Sequence, residues 1–127
     1  MIQKSTKIKI WAYFMRLGNR CGCHQREDRS FHIKGWQFPI CSRCTGILIG
    51  QIIGILLYGI GRIRVPFWLD FVFLSIMFID WYIQYRQIRQ SNNFRRVITG
   101  SLAGIAQISI LVKSVLGIIT WIFNIGR

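Results

Sequence analysis

Residues 98–125 read ITGSLAGIAQISILVKSVLGIITWIFNI, and Lys113 is the single charged residue among these 28. About 20 mostly apolar residues suffice for a helix to cross the roughly 30 Å hydrocarbon core of a bilayer. The stretch therefore predicts a membrane-spanning helix. It is long enough to tilt, to kink, to continue along the membrane surface or to fold into a re-entrant pair.

Two shorter apolar segments precede this stretch. Residues 45–61 carry no charge, and residues 65–85 carry only Asp70 and Asp80. The alternative is a soluble domain with three buried helices, but helices that are apolar on every face belong in lipid or in a large protein. We therefore expect an all-α integral membrane protein with about three transmembrane helices, grouped in a membrane domain of residues 45–127.

The first 44 residues form a separate N-terminal module that is polar, basic and rich in cysteine. Within it, residues 8–17 bring Ile10, Phe14 and Leu17 close to one helical face. Such a segment predicts a short helix in the membrane interface, with a plain loop as the alternative. A loop with a Cys/His metal knuckle follows it and leads into the first span.

The basic residues are distributed unevenly along the chain. There are 17 Lys and Arg against 4 Asp and Glu, a net charge of +13, although 52% of the residues are hydrophobic. Three spans put residues 1–43 and the loop at 86–96, which are rich in Lys and Arg, on one side of the membrane. The positive-inside rule then predicts a cytoplasmic N-terminus and an outside C-terminus. The charge thus indicates contact with anionic lipids of the bilayer and no nucleic-acid partner. No secretory signal peptide is expected, because the N-terminus lacks an uninterrupted apolar core and a cleavage site.

All four cysteines lie within 24 residues, directly before the first span. Cys41 and Cys44 form a C-x-x-C pair with the spacing of a metal knuckle. The other half of a four-ligand site must come from Cys21, Cys23 and His24. Thiolates with imidazole suit Zn²⁺, which is the expected cofactor, or an iron–sulfur centre. The alternatives are free thiols packed at the interface and a redox-active C-x-x-C.

Polar residues gather where the second span ends and the third begins. Asp80 and Gln84 are four residues apart and share one helix face. An ionisable residue inside a span is a candidate functional residue, so Asp80 is the predicted catalytic residue. The alternative is a structural carboxylate that pairs with Arg96 or Arg43 and holds the spans together.

Arginine and amide side chains on the same side suit an anionic substrate, because a guanidinium group binds phosphate oxygens in a fork. The predicted substrate- or anion-binding residues are Arg29, Arg43, Gln84, Asn93, Arg96 and Thr99.

Two further features concern how the spans pack. Asp70 and Lys113 lie about 6 Å and 8 Å from the outer face of the core and are predicted to pair, unless Lys113 extends alone to the surface. Glycines repeat every four residues in the first and third spans, at Gly46, Gly50 and Gly54 and at Gly100 and Gly104. These faces are expected to pack on each other or on a second copy in a homo-oligomer.

The polar motifs also carry a family resemblance. They read C-H-Q at 23–25, R-S-F at 29–31, P-x-C-x-R-C-T-G at 39–46, D-x-x-x-Q at 80–84 and S-x-N-x-x-R-x-x-T-G at 91–100. Together they resemble a family of small membrane proteins, domain of unknown function 2085, although Trp81 stands where the family has Gly. The resemblance implies an integral membrane protein. It also favours Cys23, His24, Cys41 and Cys44 as metal ligands, because Cys21 falls outside the motif.

These observations predict a small membrane metalloprotein with its metal at the cytoplasmic membrane interface, acting on a lipid or lipid-linked anionic substrate. A transporter or channel subunit of an oligomer is one alternative. The other is an assembly module whose zinc knuckle docks a partner without catalysis.

Overall fold

Helices dominate the computed structural model, which describes residues 2–90 and 92–127. The elements in chain order are α1 (Ile2–Arg20), β1 (Ser30–Ile33), β2 (Trp36–Cys41), α2 (Ser42–Gly59), α3 (Phe67–Tyr85) and α4 (Asn93–Ile125), with a 3-10 turn at Glu27–Arg29. Helices α2, α3 and α4 are each long and apolar enough to cross a membrane. The predicted fold class is therefore confirmed. Ser91, which belongs to the downstream motif, lies outside the described residues.

The three long helices differ in their limits from the predicted spans. Helix α2 begins at Ser42, so Cys44 lies within its first turn. Helix α4 is continuous over 33 residues, or about 50 Å, so the third segment is one helix and not a re-entrant pair. We call the end of the bundle where α2 and α4 begin the cysteine end, and the opposite end, where α3 begins, the far end. The division into domains at residue 44 stays a prediction.

Helices α2 and α4 approach each other along their glycines. A Cβ at Gly46 or Gly50 would collide with the backbone of α4, and one at Gly100 or Gly104 would collide with the backbone of α2. Small residues allow such close backbone approach between membrane helices. The two predicted glycine faces thus cover each other within one chain. A homo-oligomer stays a prediction and would use another surface.

A short antiparallel hairpin, β1 and β2, occupies the segment that the sequence indicated only as a loop. Its turn residues Lys34 and Gly35 have φ of 50° and 81°, as in the two-residue type I′ turn. The indole of Trp11 in α1 donates a hydrogen bond to the carbonyl oxygen of Gln37 in β2, at 2.8 Å. The hairpin therefore connects α1 to the start of α2 and delivers Cys41 to the helix end.

A chain of polar contacts ties the three helices together at the far end. Lys113 of α4 pairs with Asp70 of α3, as predicted. Ser109 of α4 donates to the same carboxylate at 2.9 Å, and its hydroxyl lies 2.6 Å from that of Tyr58 in α2. The backbone N–H of Val65 donates to the Tyr58 hydroxyl at 3.0 Å. These contacts hold α2, α3 and α4 together at the far end of the bundle.

Candidate metal centre and anion cavity

Three cysteine thiols lie together at the cysteine end. The Sγ atoms of Cys23, Cys41 and Cys44 are all within 4.8 Å of one another, and those of Cys41 and Cys44 are 3.3 Å apart. A tetrahedral ion with metal–sulfur bonds of about 2.3 Å holds its sulfur atoms roughly 3.8 Å apart. These three cysteines, which we call the thiol cluster, could therefore hold a metal ion with small side-chain adjustments.

The start of α2 favours a thiolate at Cys41. Cys41 caps the helix N-terminus and Cys44 lies in its first turn, where the positive end of the helix dipole favours a negative sulfur. Burial raises the pKa of the Cys41 thiol, but hydrogen bonds from Cys44, Cys23 and the backbone of Arg43 outweigh it. The net pKa of Cys41 is therefore lower than that of an ordinary thiol.

The third thiol is held by the hairpin and by Gln25. Cys23 is 3% exposed, and its Sγ accepts a hydrogen bond from the backbone N–H of Cys41 at 3.1 Å. Gln25 donates to the carbonyl oxygens of Met15 in α1 and Pro39 in β2, at 2.5 and 2.6 Å. Gln25 thus positions the loop that carries Cys23. The C-H-Q motif contained this residue, but nothing in the motif showed that it acts on the backbone.

The two remaining candidate ligands lie apart from the thiol cluster. Cys21 is exposed and is a free cysteine. His24 is also exposed, although it borders the space beside the thiols. Within the described residues the cluster holds three thiols and no imidazole, so the four-ligand set with His24 stays a prediction.

A cavity of about 190 Å³ opens beside the thiol cluster, and we call it the anion cavity. Besides the three thiols, its wall contains His24, Arg26, Arg29, Arg43 and Arg96. The Nε–H groups of Arg29 and Arg43 are buried without a hydrogen-bond partner. Arg29 Nε lies 3.6 Å from a carboxylate oxygen of Asp28, so Arg43 Nε–H is the one of the two with no carboxylate beside it. A guanidinium N–H can only donate, and anion binding in this cavity stays a prediction.

Asp80 lies behind this cavity and not in its wall. It is 2% exposed, and its carboxylate pairs with Arg95 Nε at 2.9 Å and with Arg43 Nη2 at 3.3 Å. Gln84 Nε2 donates to the same carboxylate at 2.6 Å. This geometry favours the alternative in which Asp80 holds helices together and orients Arg43. A catalytic role for Asp80 stays a prediction.

The other predicted polar residues hold Arg96 in place. Its Nε donates to Gln84 Oε1 at 3.1 Å, and its Nη1 donates to Asn93 Oδ1 at 3.4 Å. The Ser42 hydroxyl oxygen lies 3.2 Å from Asn93 Oδ1, and Thr99 donates to the Arg96 carbonyl oxygen at 3.3 Å. Gln84 and Asn93 therefore contact the guanidinium group of Arg96, and Thr99 contacts only its backbone, whereas Arg29, Arg43 and Arg96 border the cavity. Substrate or anion binding by these six residues stays a prediction.

Sequence reasoning missed three contributors to this end of the molecule. Arg95 makes the shorter of the two ion pairs of Asp80. The motif contains its neighbour Arg96, and nothing in the local sequence showed that Arg95 is the one that pairs with Asp80. Arg26 borders the cavity, although it reads as one basic residue among many. Ser42 is fully buried and donates to the Arg29 carbonyl oxygen at 2.9 Å, a contact between segments that spacing alone does not reveal.

Comparison with known proteins supports a membrane location. Residues 23–110, which include the thiol cluster and Asp80, match the family described as Predicted membrane protein (DUF2085). An uncharacterized protein of Methanothermobacter thermautotrophicus is 38% identical over 96 residues, which are 72% of this chain and 84% of that protein. An uncharacterized protein of Methanocaldococcus jannaschii is 36% identical over 87 residues, 65% of this chain and 56% of that longer protein. No solved structure matches the chain.

Proposed function

The chain belongs to the DUF2085 family of membrane proteins, and we propose that it is a zinc protein whose metal lies at the cytoplasmic membrane surface. The zinc would be held by Cys23, Cys41 and Cys44. The observation that carries the proposal is the clustering of these three thiols in the wall of a cavity lined by guanidinium groups. Thiolates select zinc over the hard cations Mg²⁺ and Ca²⁺, which prefer oxygen ligands.

The third thiol favours a metal over the other uses of a C-x-x-C pair. A redox pair needs only Cys41 and Cys44, whereas here a third, buried thiol lies within reach of both. Iron–sulfur clusters are usually held by four thiolates, and Cys21 is exposed outside the cluster. Three close thiols therefore fit zinc better than either alternative.

Three protein ligands leave one coordination position open on a tetrahedral zinc. Catalytic zinc sites keep such a position for water or substrate, whereas structural sites fill it with a fourth ligand. The open position here would face the anion cavity, where Arg29, Arg43 and Arg96 would bind a negatively charged substrate. Zinc would polarise an oxygen of that substrate or lower the pKa of a bound water. His24, at the edge of the same cavity, would transfer a proton.

The proposed substrate is a lipid or a lipid-linked anion, because the cavity lies where α2 and α4 would enter the membrane. The apolar side chains of α1 support this location, since Ile10, Tyr13, Phe14 and Leu17 are exposed. An apolar face of this kind is typical of a helix in the membrane interface. The cytoplasmic side would keep the cysteines reduced and able to bind metal.

Elemental analysis of the protein purified in detergent tests the metal site. We expect about one zinc per chain, lost in the Cys41→Ser/Cys44→Ser double variant and retained in Cys21→Ser, the matched control outside the cluster. His24→Ala separates the two kinds of site, because it keeps the zinc if the fourth position is open. A metal-free wild type with a Cys41–Cys44 disulfide in intact-protein mass spectrometry would overturn the proposal.

A further inference from the structure

We infer that the ligand of this site is a lipid phosphate monoester, with its phosphate in the anion cavity and its hydrocarbon chain in a second cavity behind the thiols. The inference rests on the proposed function and names its substrate class. The proposed ligand has two chemically different ends, because two chemically different cavities share one wall.

The second cavity is apolar and larger, with a volume of about 510 Å³. It lies between α1, β2 and α2, and its wall includes Phe14, Leu17, Phe38, Ile47, Leu48 and Gln51. Ligand cavities in proteins typically measure about 300–1,000 Å³, so this space suits an organic group. We call it the chain cavity.

The two cavities adjoin at the thiol cluster. Cys23, Cys44 and Ile47 belong to the walls of both. A single molecule that extends from one cavity to the other would therefore pass next to the sulfur atoms. This places the junction between a polar head and an apolar chain within reach of a bound metal.

The chain cavity follows the direction that a lipid chain takes. The α2 residues in its wall share one face of the helix, because they follow Cys44 by three, four and seven residues. They are Cys44, Ile47, Leu48 and Gln51. From Cys44 to Gln51 this face rises about 10 Å along the helix axis. Since α2 is a membrane-spanning helix that starts at the cysteine end, the cavity leads from the membrane surface toward the bilayer core.

The charge at the anion cavity matches a phosphate monoester. The guanidinium groups in its wall belong to Arg26, Arg29, Arg43 and Arg96, with Arg95 behind them on Asp80. The ion pairs of these five groups use only the carboxylates of Asp28 and Asp80. Zinc held by three thiolates would add one further negative charge, which would leave two positive charges uncompensated. A phosphate monoester carries about −1.5 to −2 at pH 7.

Other occupants use only part of this arrangement. A free phosphate would leave the chain cavity without a function, and a helix from a second copy would fill the chain cavity but not the anion cavity. A phosphatidylcholine head group carries a positive choline group, which would meet the surplus of arginines. Of these occupants, the lipid phosphate monoester alone satisfies both spaces.

Binding of three probes to the protein as purified in detergent tests the inference. The probes are dioctanoyl phosphatidic acid, dioctanoyl phosphatidylcholine and glycerol 3-phosphate. We expect phosphatidic acid to bind at least about tenfold more tightly than the other two, as the loss of one charge-assisted hydrogen bond or of the chain contacts implies. Equal affinity for the two lipids would overturn the role of the anion cavity. Glycerol 3-phosphate binding as tightly as phosphatidic acid would overturn the role of the chain cavity.

Matched variants assign each end of the ligand. Leu48→Trp fills the chain cavity and should weaken phosphatidic acid binding about tenfold without changing glycerol 3-phosphate binding. Ile49→Trp, one residue further along α2 and outside both cavities, is the control and should change neither. Leu17→Trp repeats the test from the opposite wall, while Arg29→Gln should weaken both phosphate probes. An Ile49→Trp effect as large as that of Leu48→Trp would contradict the inference.

Zinc content is measured for every variant so that the two proposals can fail separately. A wild type that prefers phosphatidic acid but contains no zinc would leave the lipid site standing and remove the metal proposal. A wild type that contains zinc but binds the two lipids equally would support the metal proposal and overturn the lipid site.

Discussion

Two buried aspartates join α3 to its neighbours at opposite ends of the bundle, and their surroundings differ. At the far end Asp70 is fully buried and meets one cation, Lys113, together with the hydroxyl of Ser109. Its Oδ1 atom has no hydrogen-bond partner. One carboxylate and one ammonium group compensate each other there, and Asp70 lies outside the walls of both cavities.

At the cysteine end Asp80 is shared by two guanidinium groups, those of Arg43 and Arg95. Further arginines lie beside it around the anion cavity. The carboxylates of Asp28 and Asp80 pair with four of these arginines, so arginines outnumber carboxylates next to the thiol cluster. The same residue type thus forms a one-to-one ion pair with Lys113 at one end and is shared between two guanidinium groups at the other.

The largest difference should appear when each aspartate loses one cationic partner. Lys113→Met leaves the Asp70 carboxylate buried without a cation and should lower the free energy of unfolding by about 3–5 kcal/mol. Arg95→Met should cost about 1 kcal/mol or less, because the Arg95 side chain is 43% exposed and Asp80 keeps Arg43 and Gln84. Titration with a denaturing detergent in mixed micelles measures both.

The same two variants test whether the two ends of the bundle differ in energy. Equal losses in Lys113→Met and Arg95→Met would mean that the two ends are energetically alike. Arg127→Met, a change of a basic residue beyond α4, serves as the control for the removal of a positive charge.

Removal of the proposed zinc should destabilise the cysteine end and not the far end, since only the cysteine end contains the thiol cluster. At a zinc concentration about 100-fold above the dissociation constant, the proposed metal would contribute roughly 3 kcal/mol, which a chelator would remove. Hydrogen–deuterium exchange should then accelerate in peptides that contain Cys23 or Cys41 and stay unchanged in peptides around Asp70 and Ser109. Uniform acceleration along the chain would show that the two ends are not independent.

A small effect is expected from the hydroxyl of Tyr58, which links α2 to α4 at the far end. Tyr58→Phe removes its contacts with Ser109 and with the backbone of Val65 and should cost about 1 kcal/mol in unfolding free energy. Tyr85→Phe is the matched control, because Tyr85 is 70% exposed at the other end of α3. No difference between the two variants would argue that the far end is held by Asp70 and Lys113 alone.

Much of the fold could be predicted because the signals are local or compositional. Long apolar runs predict membrane helices wherever they occur, since the bilayer fixes the required length. The pairing of Asp70 with Lys113 followed from depth alone, because opposite charges at one depth in lipid seek each other. The glycine repeats indicated close packing, and the structure resolved the choice between partners by placing α2 against α4.

The hairpin and the roles of the polar residues at the cysteine end could not be predicted in the same way. The turn at Lys34 and Gly35 is short and was indistinguishable from a loop by periodicity. Of the two partners of Asp80, Arg43 in α2 was one of the alternatives that the sequence offered, whereas Arg95 in α4 was not expected. Such pairings depend on the rotation of each helix about its axis, which packing fixes and which local sequence does not encode.

By itself, the sequence determined that this is a membrane protein with three apolar helices and a cysteine-rich segment before the first of them, because hydrophobic length and residue chemistry act without regard to the rest of the chain. Only the tertiary structure decided which thiols meet and that Asp80 lies behind the arginines. It also decided that an anion cavity and an apolar cavity share the wall formed by Cys23, Cys44 and Ile47. These are distances between segments far apart in the chain, and they exist only once α1, the hairpin and α2 have packed together.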